Sequence, residues 1–348
     1  MRDFNYRIIK EARWDSEILG LIAAIYKEAG KQELYLKQRP EELEKLVDIA
    51  KIQSTGASNE IEGIVTTSTR IRRLVEEKTT PKDRSEQEIA GYRDVLSIIH
   101  ESFDAIPITQ NYILQLHRIL YSHTNNPLAG HTKNVQNYIS ASYPDGHNEI
   151  LFTPLAPYET AAALDRICEE YNYVIGNMEL EPLIAIPVFI HDFLCIHPFN
   201  DGNWRMSRLL TTLLLYRSGF YVGKYISLEA KIAKSKDLYY QALRASQIGW
   251  HEGKDDPVPF IKYLLGTILA AYKDLEDRFA LVETKRSALD TVRMAAQNQI
   301  GRFTKQDIRE LCPALSLSSV EGALRKLVES GELRREGRGK NTHYYRTE

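Results

Sequence analysis

Apolar residues along this chain recur mostly at intervals of three and four, the period of helices that bury one face. Ile18, Leu21, Ile22 and Ile25 form one stripe, and Leu43, Leu46, Val47 and Ile49 to Ala50 form another, with polar connections such as Thr79 to Ser85 between helices. The stretch Ile106 to Leu120 is expected to be helical, as are Tyr158 to Gly176 and Pro182 to Ile196, the last with Pro187 inside it as a point of bending. Met206, Leu209, Leu210, Leu213 and Leu214 make a stripe that Gly219 is well placed to end. Strand-like pieces are rare. Two of them, within His131 to Ile139 and Ile150 to Pro154, flank the turn formers of Ser140 to Glu149, including Pro144, Asp145 and Gly146, and read as a hairpin. No fixed repeat and no low-complexity segment interrupts this pattern, so the expected class is mainly α with one small hairpin.

Composition changes the picture little. The 348 residues suggest about two domains at roughly 150 residues each. Apolar residues at 43%, charged residues at 26% and 20 tyrosines describe an ordinary water-soluble chain. No apolar run approaches the roughly 20 residues a membrane helix needs, and MRDFNYRIIKEARWD lacks the apolar core of a signal peptide. The expectation is therefore a cytoplasmic protein with no membrane partner. Cys168, Cys195 and Cys312 are scattered and odd in number, which suggests neither a disulfide framework nor a CxxC metal site. The net charge of −2 is unevenly divided: residues 285–348 carry 13 Lys plus Arg against 8 Asp plus Glu, a balance of +5, which leaves −7 for the rest.

Candidate chemistry concentrates in His197 to Arg208, HPFNDGNWRMSR, directly before the leucine stripe. Asn203 is a favoured N-cap type, so the free N–H groups of Asn203, Trp204 and Arg205 would form a donor-rich helix terminus suited to phosphate. Arg205 and Arg208, three apart, share a face and could grip polyphosphate oxygens in bidentate fashion. Asp201 cannot bind an anion itself; beside phosphates it makes most sense as a Mg²⁺ (or Mn²⁺) ligand. His197 alone here has an ordinary pKa near neutrality, which suits a general base. Taken singly, each residue has a bland reading, since paired arginines usually line a solvated face and a histidine after an apolar run is usually structural.

Together these residues resemble the signature of the Fic family, His-Pro-Phe-x-Asp/Glu-Gly-Asn-Gly-Arg-x-x-Arg, departing from it only at Trp204. The resemblance implies a Fic-type helical bundle that moves AMP from ATP onto a Ser, Thr or Tyr hydroxyl of a protein target, the protein itself included. It implies that His197 is the base, that Asp201 holds the metal, and that Gly202 and Asn203 cradle phosphates. It further implies that Arg205 and Arg208 meet the outer phosphates, that Phe199 packs, and that Tyr240 lies near the adenine. Trp204 would face the nucleotide. If its position needs a positive φ, the strain is about 1–3 kcal/mol; if it is simply a helical residue, only its bulk remains. Upstream, Ser58-Asn59-Glu60-Ile61-Glu62-Gly63 resembles the family's inhibitory helix, Ser/Thr-x-x-x-Glu-Gly/Asn, which implies that Glu62 pairs with Arg208. The hairpin resembles the family's flap, with Ile150 and Phe152 facing the target. On this basis residues 1–100 form a helical region carrying the inhibitory motif and residues 101–280 the catalytic core.

Residues 285–348 change character. Two helices followed by a short basic hairpin resemble a winged helix, with Ser318-Ser319 opening the reading helix and Arg338 and Lys340 on the wing. Such a module ordinarily suggests DNA. Glu321 and Glu329 on the reading helix temper this, and winged helices also bind proteins. The competing readings are a DNA-binding regulator whose weakened Fic domain only senses nucleotide, and an enzyme that removes AMP; transfer of UMP, phosphate or phosphocholine fits the retained motif less well. A homodimer is compatible with every one of them.

Overall fold

The computed structural model describes residues 2–347 apart from 39, 143–147, 284–286, 298, 300, 314, 338, 340 and 341. Among these, α1 (Ser16–Gln38), α2 (Pro40–Glu60), α3 (Ser68–Glu76), α4 (Arg84–Ser102) and α5 (Gln110–Leu120) precede a hairpin of β1 (Ile139–Ser142) and β2 (Asn148–Phe152). Then come α6 (Pro157–Gly176), α7 (Pro182–Ile196), α8 (Asn203–Arg217), α9 (Leu228–Lys234), α10 (Lys236–Gln247) and α11 (Val258–Glu283). The chain continues with α12 (Ala288–Gln297), α13 (Lys305–Leu311) and α14 (Leu317–Glu329), and a second hairpin of β3 (Leu333–Glu336) and β4 (His343–Arg346). The protein is thus mainly helical, with two small antiparallel hairpins.

The bundle is built around α7. Every residue from Leu183 to Ile196 is buried, as expected of a helix that is apolar all round. It packs against α6 on one side and α8 on the other. One continuous apolar cluster runs from Phe4 to Leu275, so α1, α2 and α4 share a core with α7 and α8. A second cluster, Val292 to Tyr344, fills the space between α12, α13, α14 and the second hairpin. Phe303 extends that hairpin by exchanging backbone hydrogen bonds of 3.0 and 2.8 Å with Tyr344.

Where the sequence pattern and the structure differ, local chemistry explains the difference. The helix expected from Ile106 begins only at Gln110, because Pro107 lies in the way and the Thr109 hydroxyl caps the helix by accepting from Tyr112 N–H. The first hairpin strand starts at Ile139. The residues before it, expected to be strand-like, instead bond through Lys133, Asn134 and Asn137 to residues 196–200. The helix expected to open at Ser318-Ser319 begins at Leu317 as α14, with Ser316 as its cap. The turn at Pro144, Asp145 and Gly146 and the wing residues Arg338 and Lys340 lie outside the described residues. Gly219, at φ +87°, ends α8 as expected: Phe220 N–H reaches back to Leu215 O at 2.9 Å and Gly219 N–H to Tyr216 O at 3.0 Å, the pattern of a Schellman cap.

One glycine fixes how closely α4 meets the end of α5. A Cβ placed on Gly91 would fall inside the carbonyl group of Leu120, and backbone atoms cannot yield as a flexible side chain can. Gly91→Ala is therefore expected to destabilise the protein by about 3 kcal/mol in denaturant unfolding; a change below about 0.5 kcal/mol would show that α4 and α5 separate freely.

Candidate functional site

The loop between α7 and α8 is closed by the side chain of Asn203. Its Oδ1 accepts from Phe199 N–H at 2.8 Å and its Nδ2 donates to Phe199 O at 2.7 Å. Asn203 is therefore the first residue of α8 rather than its N-cap, which is Gly202 at φ +81°. That conformation favours glycine. Space demands it as well, since a Cβ there would lie 2.9 Å from the Tyr121 hydroxyl. The first bond of the helical ladder is Met206 N–H to Gly202 O, at 2.9 Å. The N–H groups of Asn203, Trp204 and Arg205 thus precede the ladder and form a helix N-terminus able to receive an anion.

His197 follows the last residue of α7 in a left-handed conformation, φ 52° and ψ 64°. Its Nδ1 lies 3.2 Å from Leu194 O, so Nδ1 carries the proton and donates, leaving Nε2 as the basic nitrogen. Burial pushes its pKa down to about 4; the Leu194 carbonyl opposes this, the nearby Lys133 charge reinforces it, and Asp201 opposes it. The imidazole is thus neutral at ordinary pH. Phe199 stacks on His117 at 3.7 Å with the rings 3° apart. Gly130 N–H donates to His117 Nδ1 at 2.9 Å, so the proton on His117 Nε2 is given to Asp201 O, 3.1 Å away. Asp201 itself is exposed. Its Oδ1 accepts from Gly202 N–H at 2.7 Å.

Both arginines are buried, Arg205 at 0% and Arg208 at 3% exposure, which rules out a solvated face. Arg208 donates Nε–H to Ser58 Oγ at 2.7 Å and one amino group to Ser58 O at 2.9 Å, and it forms a short ion pair with Glu62. Burial is the largest influence on its pKa and lowers it, but the Glu62 charge and hydrogen bond, together with Tyr92 and Tyr239, hold it above the ordinary value. Glu62 lies two residues past the end of α2, just before Gly63 at φ +76°. Lys236 fixes that turn by donating to Ile61 O at 2.7 Å. Arg205 pairs with Glu88 at 2.9 Å, donates to the Tyr121 hydroxyl at 2.7 Å and lies 4.0 Å from Glu62. The buried Nε and Nη1 of Arg205 and Nη1 of Arg208 have no hydrogen-bond partner. Guanidinium donors buried without partners are costly, and an anion in the cleft would satisfy them.

Trp204 is the second helical residue and does not have a positive φ, so the backbone imposes no strain there and only the bulk of the indole remains. Its ring meets Tyr240 edge-on at 5.3 Å, Tyr239 at 6.0 Å and His197 at 6.1 Å. Ile150 is 58% exposed on the hairpin. Phe152 instead stacks on His251 at 5.3 Å and meets Trp250 at 6.0 Å. It anchors the strand, leaving Ile150 as the open side chain. Sequence reasoning missed Glu88 and Tyr121, which hold Arg205. Glu88 had a readable signal, because it sits four, seven and eleven residues before Tyr92, Val95 and Ile99, in register with a buried stripe.

The structure therefore defines a helical-bundle protein with two buried arginines, an imidazole and a free helix N-terminus gathered at the start of a buried helix. Residues 107–215 match the model of the Fic/DOC family, and the chain carries a Fic/DOC domain. Protein adenylyltransferase fic-1 of Caenorhabditis elegans is 26% identical over 168 residues, covering 48% of this chain and 28% of that protein. Protein adenylyltransferase Fic of Drosophila willistoni is 28% identical over 240 residues, covering 66% of this chain and 44% of its own length. The chain thus spans less than half the length of these relatives. In fold, a Fic family protein from Desulfovibrio desulfuricans superposes with a TM-score of 0.62 at 18% identity, covering 97% of each chain. Fic-1 from C. elegans gives 0.58 at 19%, covering 76% of this chain and 74% of that one.

Burial also depresses His117 and His191 to about 4 and His100 to about 3, alongside His197. Between the ordinary value of 6.5 and about 4, the unfolded chain binds protons that the folded chain excludes, so acid favours unfolding. Folding free energy from denaturant titrations should be fully retained above about pH 6.5 and fall towards pH 4, each histidine adding up to about 1.4 kcal/mol per pH unit. A flat stability across that window would contradict the burial of neutral rings.

Proposed function

We propose that this protein transfers AMP from ATP to a hydroxyl of a protein target and that Glu62 restrains it. The observation that carries the reading is the pairing of Glu62 with Arg208 beside three buried guanidinium nitrogens that lack partners, all at the N-terminus of α8. A triphosphate supplies oxygens to such donors in the bidentate manner arginine favours. Glu62 stands where the outer phosphates would lie and would repel them while engaging Arg208. The relatives named protein adenylyltransferase support the same reaction class.

In this reading His197 Nε2 takes the proton from the target hydroxyl. The hydroxyl oxygen then forms a bond to the α-phosphorus as the bond to pyrophosphate breaks. The free N–H groups at the start of α8 face the developing charge on the phosphoryl oxygens, which is positioning and electrostatic stabilisation rather than covalent work. Asp201, exposed and with carboxylate capacity beyond its bond to Gly202 N–H, fits a Mg²⁺ site that uses one carboxylate together with substrate phosphates. The ion would neutralise phosphate charge when bound. Tyr240 and Trp204 would line the nucleotide, and the exposed Ile150 would meet the target. The C-terminal unit would act as an accessory winged helix. Its Lys305 pairs with Glu321 at 2.5 Å and its Arg293 with Glu332 at 2.6 Å, a self-neutralised surface that weighs against a phosphate-reading face.

The test is transfer of label from α-labelled ATP, with Mg²⁺ and cell lysate, to protein. Labelling should rise at least about tenfold in Glu62→Gly, as expected when about 1.4 kcal/mol or more of restraint is removed. It should drop by about 10²–10⁴ when His197→Ala is added, with ATP binding little changed. ATP binding without labelling in any variant would sink the transferase reading and favour a nucleotide sensor in which the Trp204 indole blocks the reaction.

A further inference from the structure

We propose that Lys133 is a positioning residue for the His197 imidazole, holding from behind the end of the helix that aims the ring into the cleft; this rests on the transfer reading above. The segment before β1 is laced to the loop that carries His197. Lys133 N–H donates to Pro198 O at 2.8 Å, and its ammonium donates to Ile196 O at 3.0 Å and to Asn137 Oδ1 at 3.1 Å. Asn134 N–H donates to Asn200 Oδ1 at 3.1 Å, Asn200 returns a bond to Asn134 Oδ1 at 2.9 Å, and Asn137 donates to Phe199 O at 3.0 Å. The residues on both sides of His197 are thus tied to one external segment. His197 itself adopts a left-handed conformation that a side chain tolerates only when its surroundings impose it.

Lys133 is the one charged member of this lacing. It is 3% exposed, and its hydrogen-bond acceptors, a carbonyl and an amide, are neutral. Burying an ammonium among neutral groups is unfavourable for stability, and burial lowers its pKa to about 8. A neutral side chain would fill the space more favourably, so the charge calls for another reason. Two are on hand. The ammonium lies on the last carbonyl of α7, where the helix dipole is negative and a cation is favoured. It also acts on the imidazole: among the described residues, the charged groups influencing the ring are Lys133, from the segment before β1, and Asp201, from the loop itself. Lys133 therefore fixes where the ring points and adds to the burial that keeps it unprotonated, without touching nucleotide or target.

The experiment compares Lys133→Met and Lys133→Arg in the full chain carrying Glu62→Gly, reading turnover, ATP affinity by calorimetry, the pH profile and the melting temperature. Lys133→Met should lower kcat by about 10- to 100-fold, change ATP affinity by less than about threefold, and move the acid limb of the profile to higher pH. Lys133→Arg should recover most of the turnover. Equal losses in kcat and ATP affinity that track a lowered melting temperature, with an unmoved acid limb, would show a merely structural lysine and overturn the proposal. If the Glu62→Gly parent transfers no AMP, the transfer reading fails on its own. The His197 ring resonance, assigned against His197→Ala, then decides the matter: a titration midpoint raised in Lys133→Met supports the proposal, and an unchanged midpoint rejects it.

Discussion

Two guanidinium groups buried at the start of α8 set the terms for much of the surrounding structure. A charge withdrawn from water must be paired or it unfolds its site. Arg205 draws Glu88 and Tyr121 to it from α4 and the end of α5. Arg208 draws Ser58 and Glu62 from the end of α2. Three helices distant in sequence thus converge on one turn of a fourth, and three guanidinium nitrogens are left buried without a partner. The same pairing completes the fold and, in the reading proposed above, restrains the site.

The loop between α7 and α8 gathers the other candidate groups. It must present an imidazole, a carboxylate and a helix N-terminus within a few residues, and its tight path uses a left-handed His197 and a left-handed Gly202. Such conformations persist because the amide of Asn203 ties the loop across its own neck and because Lys133, Asn134 and Asn137 tie it from outside. The stack of Phe199 on His117 carries the arrangement down to Asp201. Rigidity at this point suits a reaction in which the protein's main contribution is placement.

The hairpin and the aromatic cluster at Trp204 show how bulk is used beside the cleft. Phe152 is spent on anchoring β2 to His251 and Trp250, so Ile150 is the apolar side chain left in the open. Trp204, where relatives of the motif have glycine, is accommodated by edge-on contacts with Tyr239, Tyr240 and His197 rather than by backbone distortion.

The amino-acid sequence alone determined the helical class, the extents of α6 and α7 almost to the residue, the end of α8 at Gly219, and the concentration of chemistry in His197 to Arg208. These are legible because local periodicity, proline and glycine act over a few residues. It also paired Glu62 with Arg208 through the resemblance of Ser58 to Gly63 to a motif, since 146 residues separate Glu62 from its arginine and no spacing rule reaches that far. Only the tertiary structure decided that both arginines are buried, that Gly202 rather than Asn203 caps the helix, that Phe152 faces inwards, and that Glu88, Tyr121 and Lys133 support the site. Each of those outcomes depends on which distant side chains share a low-dielectric space, and the cost of leaving a buried charge or a backbone carbonyl unpaired is settled only when the helices pack.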